Sequence, residues 1–217
     1  MEFISRLFAA CLIIMLSPIF IFIFITCLLI QGRPVLFYQT RYGYNFRKFN
    51  IIKFRTMIIN DGSSITSNND SRITFLGSVL RKYKLDELPQ LFNIILGDMR
   101  FIGPRPEADE YFEETMFYFL KNIKPGLSDY SSILFNDEAK VLDKIKGENS
   151  YKELLSIKIL LSEYYVNKKS FIEDLKLVML TVLVIVFGNK IIKVLILPTL
   201  IKNLPSLKAF IEKYNIF

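Results

Sequence analysis

The chain has 217 residues, 52% of them hydrophobic, with a mean hydropathy of +0.33, which fits one core with a membrane-associated segment and leaves no room for two full domains. Its formal net charge of +7 points to anionic partners without choosing among nucleic acid, lipid headgroups and phosphorylated substrates. There is no histidine, which excludes Ser-His-Asp triads, Cys-His pairs and imidazole acid-base chemistry and leaves carboxylates or thiols.

Residues 7–30, LFAACLIIMLSPIFIFIFITCLLI, carry no charge, and as a helix they would exceed the ~30 Å hydrocarbon core. The run is too long for a signal peptide and no small-x-small cleavage site follows it. Cys11 and Cys27 both lie inside it and read as packing residues, not as a disulfide framework or a metal site. Pro18 removes the amide that would bond to the carbonyl of Ile14, and Ser17 can bond back to a preceding carbonyl, so a kink is expected at Ser17-Pro18. A bent spanning anchor and a re-entrant helix-break-helix both fit. Arg6, Arg33, Arg41, Arg47, Lys48, Lys53 and Arg55 meet no acidic residue from position 6 to 55, which puts this flank on the cytoplasmic side against anionic headgroups.

Residues 35–59 predict a β-hairpin turning around Gly43-Tyr44-Asn45, and 61–71, DGSSITSNNDS, a polar loop. Residues 75–85 place Leu76, Val79, Leu80 and Tyr83 at helical spacing. A second helix is expected from Asp86 or Glu87, burying Leu88, Leu91, Phe92, Ile95 and Leu96 and ending at Gly97, with Pro89 in its first turn. A further helix is expected over about 107–121, a turn at Lys124-Pro125-Gly126, and one or two surface helices over 138–168. The apolar stretch 175–187 is short for a span. With Gly188-Asn189-Lys190 and the following residues it predicts interfacial helices whose Lys176, Lys190, Lys193 and Lys202 reach for phosphates.

The Asp86-Glu87 pair has a plain explanation as a helix start, since Asp caps and Glu suits a first turn. Its surroundings favour chemistry. Arg81, Lys82 and Lys84 precede it, Gly103-Pro104-Arg105-Pro106 follows the helix, and Arg41, Lys53 and Arg55 add positive charge from the hairpin. Flanking prolines restrict the backbone around Arg105, whose guanidinium suits a diphosphate. Carboxylates among cations at a helix start are expected to be ionised at neutral pH, which suits a nucleophile or a hard-metal ligand. One of the pair can hold magnesium while the other attacks phosphorus.

The runs QTRYG (39–43), KFRTM (53–57), LGSVLRKYKLDELPQLFNIILGDMRFIGPRP (76–106) and KPGL (124–127) resemble the bacterial sugar transferase family, the monotopic polyprenol-phosphate phosphoglycosyl transferases, over about residues 1–187. The resemblance implies an α/β, mostly helical fold: a re-entrant membrane helix-break-helix at 1–33 broken at Ser17 and Pro18, and a cytoplasmic-face catalytic domain at 34–187. An interfacial apolar and basic tail at 188–217 completes the expected organisation. It implies transfer of a sugar phosphate from a UDP-sugar to polyprenol phosphate at the bacterial inner membrane, initiating glycan assembly. Asp86 would be the nucleophile and form a phosphosugar-aspartyl intermediate, Glu87 would ligate Mg2+, and Arg105 with Pro106 would hold phosphate. Lys53, Arg55 and Arg41 would line the site. Nucleic acid is not an expected partner, and a homodimer is left open. After KPGL the chain has SDYSSI where many members have TGW-like residues and a glutamine, so sugar specificity does not carry over. The alternative is a membrane-anchored, catalytically inactive scaffold.

Overall fold

The computed structural model describes residues 2–59, 70–147, 149–188 and 191–217. The polar loop expected at 61–71 falls outside these except for Asp70 and Ser71, as do Asn189 and Lys190. The described chain is mostly helical with two small two-stranded sheets. It divides into two compact units. One contains residues 2–59, Ser71–Phe101 and Pro106–Leu127, and the other contains Ile102–Arg105 and Ser128–Phe217.

In the first unit the apolar run forms one helix, α1 (Glu2–Gln31), with Pro18 inside it. Helical assignment is continuous through Ser17-Pro18, so any bend there is accommodated without interrupting the helix. It is the one helix among the described residues long and apolar enough to cross a membrane. Only a narrow stripe is covered: Ala9, Ile23 and Cys27 are buried, while Phe3, Ile4, Leu7, Ile14, Met15, Phe22 and Leu29 are exposed. Cys11 is exposed as well, so the packing role expected of both cysteines holds within the fold for Cys27 alone.

The hairpin forms as expected, with β1 (Leu36–Tyr42) antiparallel to β2 (Lys48–Phe54) around a tight turn at Tyr44–Phe46. Helix α2 (Phe75–Lys82) is capped by Thr74, whose hydroxyl accepts from Gly77 N at 2.9 Å. A side chain at Gly77 would collide with the Thr56 backbone, so glycine is what lets α2 lie against the chain leaving β2. Helix α3 (Gln90–Leu96) ends at Gly97 in the left-handed conformation, φ 89°. Two clusters fill the unit. Ala9, Ile51, Leu91, Ile94 and Met99 form one, and Ile23, Cys27, Val35, Phe54 and Leu80 the other. Helix α1 contributes to both, so it packs along its length on the hairpin and α3.

Its two ends are tied by polar contacts to the same unit. Lys124 Nζ lies 2.9 Å from Glu2 Oε2. At the other end Gln31 Nε2 donates to Arg55 O at 3.2 Å, and Thr74 Oγ1 donates to Gln31 Oε1 at 3.1 Å.

The helix expected over 107–121 does not form. Two single 3-10 turns, Asp109–Tyr111 and Tyr118–Lys121, stand in its place. Phe112 stacks between Tyr42 at 3.7 Å and Phe117 at 5.4 Å between ring centroids, and Glu107 is buried against Arg41. These contacts draw residues 107–117 along the hairpin, where a single helical face could not make them.

Strands β3 (Arg100–Ile102) and β4 (Gly126–Ser128) pair in the second sheet. The second unit continues with α4 (Tyr130–Leu134), α5 (Glu138–Ile145), α6 (Ser150–Lys168) and α7 (Phe171–Phe187). Helix α6 is not a surface helix. Leu154, Leu161 and Tyr165 are fully buried, and its buried Lys158 pairs with Glu138 at 3.2 Å. Helix α7 buries Leu177, Leu180 and Val184 and exposes Phe171, Ile172, Met179, Val182 and Val186. After Gly188 the tail forms a π-helical turn at Ile192–Ile196, then α8 (Leu197–Asn203) and α9 (Pro205–Tyr214). Ile192, Leu200 and Leu207 are fully buried and Glu153 of α6 accepts from Tyr214, so the tail belongs to the core of its unit.

Candidate active site

The backbone reverses between α2 and α3 at Lys84, which holds a left-handed conformation, φ 57° and ψ 21°. Glycine is usual at such a helix end, and a side chain there costs about 1 kcal/mol. The chain then makes a 3-10 turn, Leu85–Glu87, closed by Leu88 N donating to Leu85 O. Pro89 caps α3 with helical dihedrals and needs no amide partner. The helix thus begins with a tight turn at 85–87 and becomes α-helical only at Gln90, later than expected. Asp86 and Glu87 sit in that turn, where Glu87 N donates to Lys84 O at 3.3 Å.

Asp86 is buried, with 8% of its surface exposed, and its Oδ1 has no hydrogen-bond partner. Burial pushes its carboxyl well above the ordinary aspartate range and the neighbouring charge of Glu87 adds to this, while Lys53, Lys84 and Arg81 oppose it. The expectation of a plainly ionised carboxylate counted the cations and omitted desolvation, which is the larger effect at a group this buried.

Glu87 Oε1 accepts from Lys53 Nζ at 2.9 Å, both side chains being largely covered. Lys53 is therefore brought from β2 to the Asp-Glu turn. The strand is held there by Asn93, whose Oδ1 accepts from Ile52 N at 3.1 Å and whose Nδ2 donates to Asn50 O at 2.7 Å. One side chain of α3 thus completes the backbone pairing on either side of Ile51. Arg81 Nε donates to Thr56 Oγ1 at 2.9 Å, fixing α2 to the end of the hairpin.

The other arginines are engaged elsewhere. Arg41 Nη1 pairs with Glu107 Oε1 at 3.0 Å and donates to Pro106 O at 3.3 Å, and Arg41 Nη2 donates to Gln39 at 2.7 Å. Arg55 donates to the carbonyls of Gln31 and Gly32, the latter at 3.0 Å, and so caps the C-terminus of α1. Arg105 is half-buried in the second unit, where Asp129 Oδ2 accepts from its backbone amide at 3.4 Å. Asp129 is itself fully buried and caps α4 through Ser132. Ser17 and Pro18 lie in the middle of α1.

Two buried residues of this region escaped sequence reasoning. Gln90 and Asn93 are each 1% exposed, while Phe92 and Leu96, expected in the core, are 42% and 66% exposed. The signal was present: positions 86, 90 and 93 repeat at i, i+4 and i+7, a polar stripe on one helical face.

Among the described residues no group of three or more His, Cys, Asp or Glu side chains gathers as a protein-made metal cage. The donor set suits magnesium nonetheless. That ion is commonly held by one or two carboxylates together with substrate phosphates and water. Asp86 Oδ1, buried and unpartnered, and the adjacent Glu87 carboxylate are oxygen donors of that kind.

The profile of the bacterial sugar transferase family matches residues 2–188. The chain is 36% identical over 164 residues to a UDP-N-acetylgalactosamine-undecaprenyl-phosphate N-acetylgalactosaminephosphotransferase of Aeromonas hydrophila, covering 71% of this chain and 36% of that protein. It is 31% identical over 182 residues to the UDP-glucose:undecaprenyl-phosphate glucose-1-phosphate transferase of Escherichia coli (strain K12), covering 80% and 37%. It is 30% identical to the exopolysaccharide production protein PSS of Rhizobium leguminosarum bv. phaseoli, covering 78% and 86%. The chain thus matches about a third of the length of the first two relatives and most of the third.

Proposed function

The chain belongs to the bacterial sugar transferase family, and from that premise we propose that it transfers a sugar-1-phosphate from a UDP-sugar to polyprenol phosphate through a covalent intermediate on Asp86. The observation that carries this reading is Asp86 itself: a buried carboxylate with one unpartnered oxygen, beside an acid already paired to a lysine.

In the first step a carboxylate oxygen of Asp86 attacks the sugar-linked phosphorus. An O–P bond forms, the bond from that phosphorus to the bridging oxygen breaks, and the electron pair leaves with UMP. In the second step a phosphate oxygen of the acceptor lipid attacks the same phosphorus. The Asp86 O–P bond breaks, freeing the carboxylate and the polyprenyl diphosphosugar. No proton needs to be removed from an ionised phosphate, which agrees with a site that lacks histidine.

Glu87 would hold magnesium, which would supply charge neutralisation to the diphosphate and favour the ionised form of the nucleophile. Lys53 holds Glu87 in place and brings a cation to the leaving phosphate. Arg105, stiffened by Pro104 and Pro106, is proposed to bind phosphate. Arg41 and Arg55 act mainly through the framework, because their terminal Nη donors serve Glu107, Pro106 and the end of α1, while the Nε of each is buried without a partner.

Helix α1 is proposed to enter and leave the cytoplasmic leaflet of the bacterial inner membrane on one side. Glu2 and Gln31, at opposite ends of a helix about 45 Å long, both bond to residues of the catalytic unit. A helix crossing the bilayer would carry one end away from that unit. The exposed apolar faces of α1 and α7 are proposed to meet lipid, which accounts for large side chains such as Phe22 and Phe171 left uncovered at 70% exposure each.

The test is UMP release from a panel of UDP-sugars by detergent-solubilised protein, with and without undecaprenyl phosphate. Magnesium-dependent release, with product lipid formed only when acceptor is present and both lost in Asp86→Asn, is expected. Undiminished transfer by Asp86→Asn would refute the assignment, and no release with any donor would favour a scaffold.

A further inference from the structure

Three polar side chains share the buried face of the segment 85–96: Asp86, Gln90 and Asn93, at 8%, 1% and 1% exposure. They differ in how their hydrogen bonds are met. Asn93 uses both ends of its amide on the β2 backbone, and its role is to hold the strand. At the other end of the stripe, Asp86 Oδ1 and Gln90 Nε2 are each buried without a partner.

A buried amide N–H with no acceptor destabilises the folded chain, and an apolar side chain of the same shape would not. Gln90 is one helical turn beyond Asp86, on the same side of the helix. The unpaired acceptor and the unpaired donor are complementary, yet they do not bond to each other. Neither finds a partner among the described residues of the folded chain. What Gln90 lacks is an acceptor, and the group expected on Asp86 consists of acceptors. A phosphoryl group in transfer has non-bridging oxygens that carry charge and donate nothing.

We propose that Gln90 is a catalytic residue of the transfer, its side-chain N–H donating to a non-bridging oxygen of the phosphoryl group as that group moves onto and off Asp86. This rests on the covalent reading given above and adds a residue to it. A neutral donor suits the position. An amide can bind a phosphoryl oxygen without forming the ion pair with Asp86 that a lysine there would form, and so leaves the nucleophile unquenched. The donor is fixed before substrate arrives, because Gln90 is enclosed in the first turn of α3, between Pro89 and the buried Leu91.

The experiment compares wild type, Gln90→Met, Gln90→Glu and Asp86→Asn, each as the full chain in detergent with magnesium and a UDP-sugar that the wild type uses. Melting temperature, the single-turnover rate of UMP release and, with undecaprenyl phosphate present, the steady-state kcat and donor KM are measured. Gln90→Met keeps size and removes the unpaired donor, so it is expected to melt at or above the wild-type temperature while releasing UMP about ten- to a hundredfold more slowly, with the loss in kcat and not in donor KM. Gln90→Glu, which puts an acceptor where a donor is needed, is expected to be at least as slow.

Wild-type rates in Gln90→Met, with Asp86→Asn inactive, would overturn this inference and leave the covalent reading standing. A rate loss that merely follows a fall in melting temperature in both Gln90 variants would also overturn it, by making Gln90 a packing residue. Wild-type rates in Asp86→Asn, or no UMP release by the wild type, would overturn both.

Discussion

Lys53 Nζ and Glu87 Oε1 lie 2.9 Å apart, with 19% and 15% of their side chains exposed. This pair joins a hairpin strand to the turn that carries Asp86. Removing one partner leaves the other charge poorly solvated, which costs more than the pair contributes when intact. Lys53→Met is therefore expected to lower stability by about 2 kcal/mol and to slow UMP release by at least tenfold, with Lys53→Arg recovering much of both. Thermal unfolding and donor turnover measured side by side decide it. Wild-type turnover in Lys53→Met would remove Lys53 from the site.

Asn93 is expected to matter for folding and not for chemistry. Asn93→Ala leaves Ile52 N and Asn50 O without their partner, a loss of about 2–3 kcal/mol for two hydrogen bonds between largely buried groups. Denaturant unfolding should show this loss, and the protein that remains folded should keep its donor KM. An unchanged unfolding midpoint would mean the strand does not depend on this clamp.

Much of this architecture was legible in the residues. The hairpin followed from its β-branched and aromatic runs around Gly43, and the end of α3 from Gly97, whose φ of 89° suits glycine. What misled was the assumption that apolar means internal. Helix α3 packs against α1 on one side and β2 on another, so its covered face centres on Gln90, Leu91 and Ile94, and Phe92 and Leu96 are left outside. A lipid-facing surface, as proposed above for α1 and α7, would expose apolar residues that a soluble protein buries. The reverse error befell α6, which was expected at the surface, yet its Lys158 is covered, paired with Glu138 and lying 5.3 Å from the Tyr151 ring centroid. Residues 107–121 satisfied helical composition, but side-chain stacking on Tyr42 decided their path. The Asp-Glu turn was found from its company of cations, while desolvation of Asp86 depends on tertiary packing that no local pattern reports.

The course of α1 can be tested by labelling. In a background with Cys11→Ser and Cys27→Ala, single cysteines at Phe3 and Arg33 are placed at opposite ends of the helix. Both are expected to react with a membrane-impermeant thiol reagent from the cytoplasmic side only, as the Glu2–Lys124 and Gln31–Arg55 contacts require. Reaction of the two positions from opposite sides would establish a spanning helix.

The most direct measurement traps the intermediate. Purified protein is mixed with magnesium and a UDP-sugar it uses, without acceptor lipid, quenched, digested and mapped by mass spectrometry. A phosphosugar mass is expected on the peptide containing Asp86, absent from Asp86→Asn and discharged when undecaprenyl phosphate is added before the quench. An adduct on another residue, or product lipid formed at full rate with no adduct at any stage, would contradict the account.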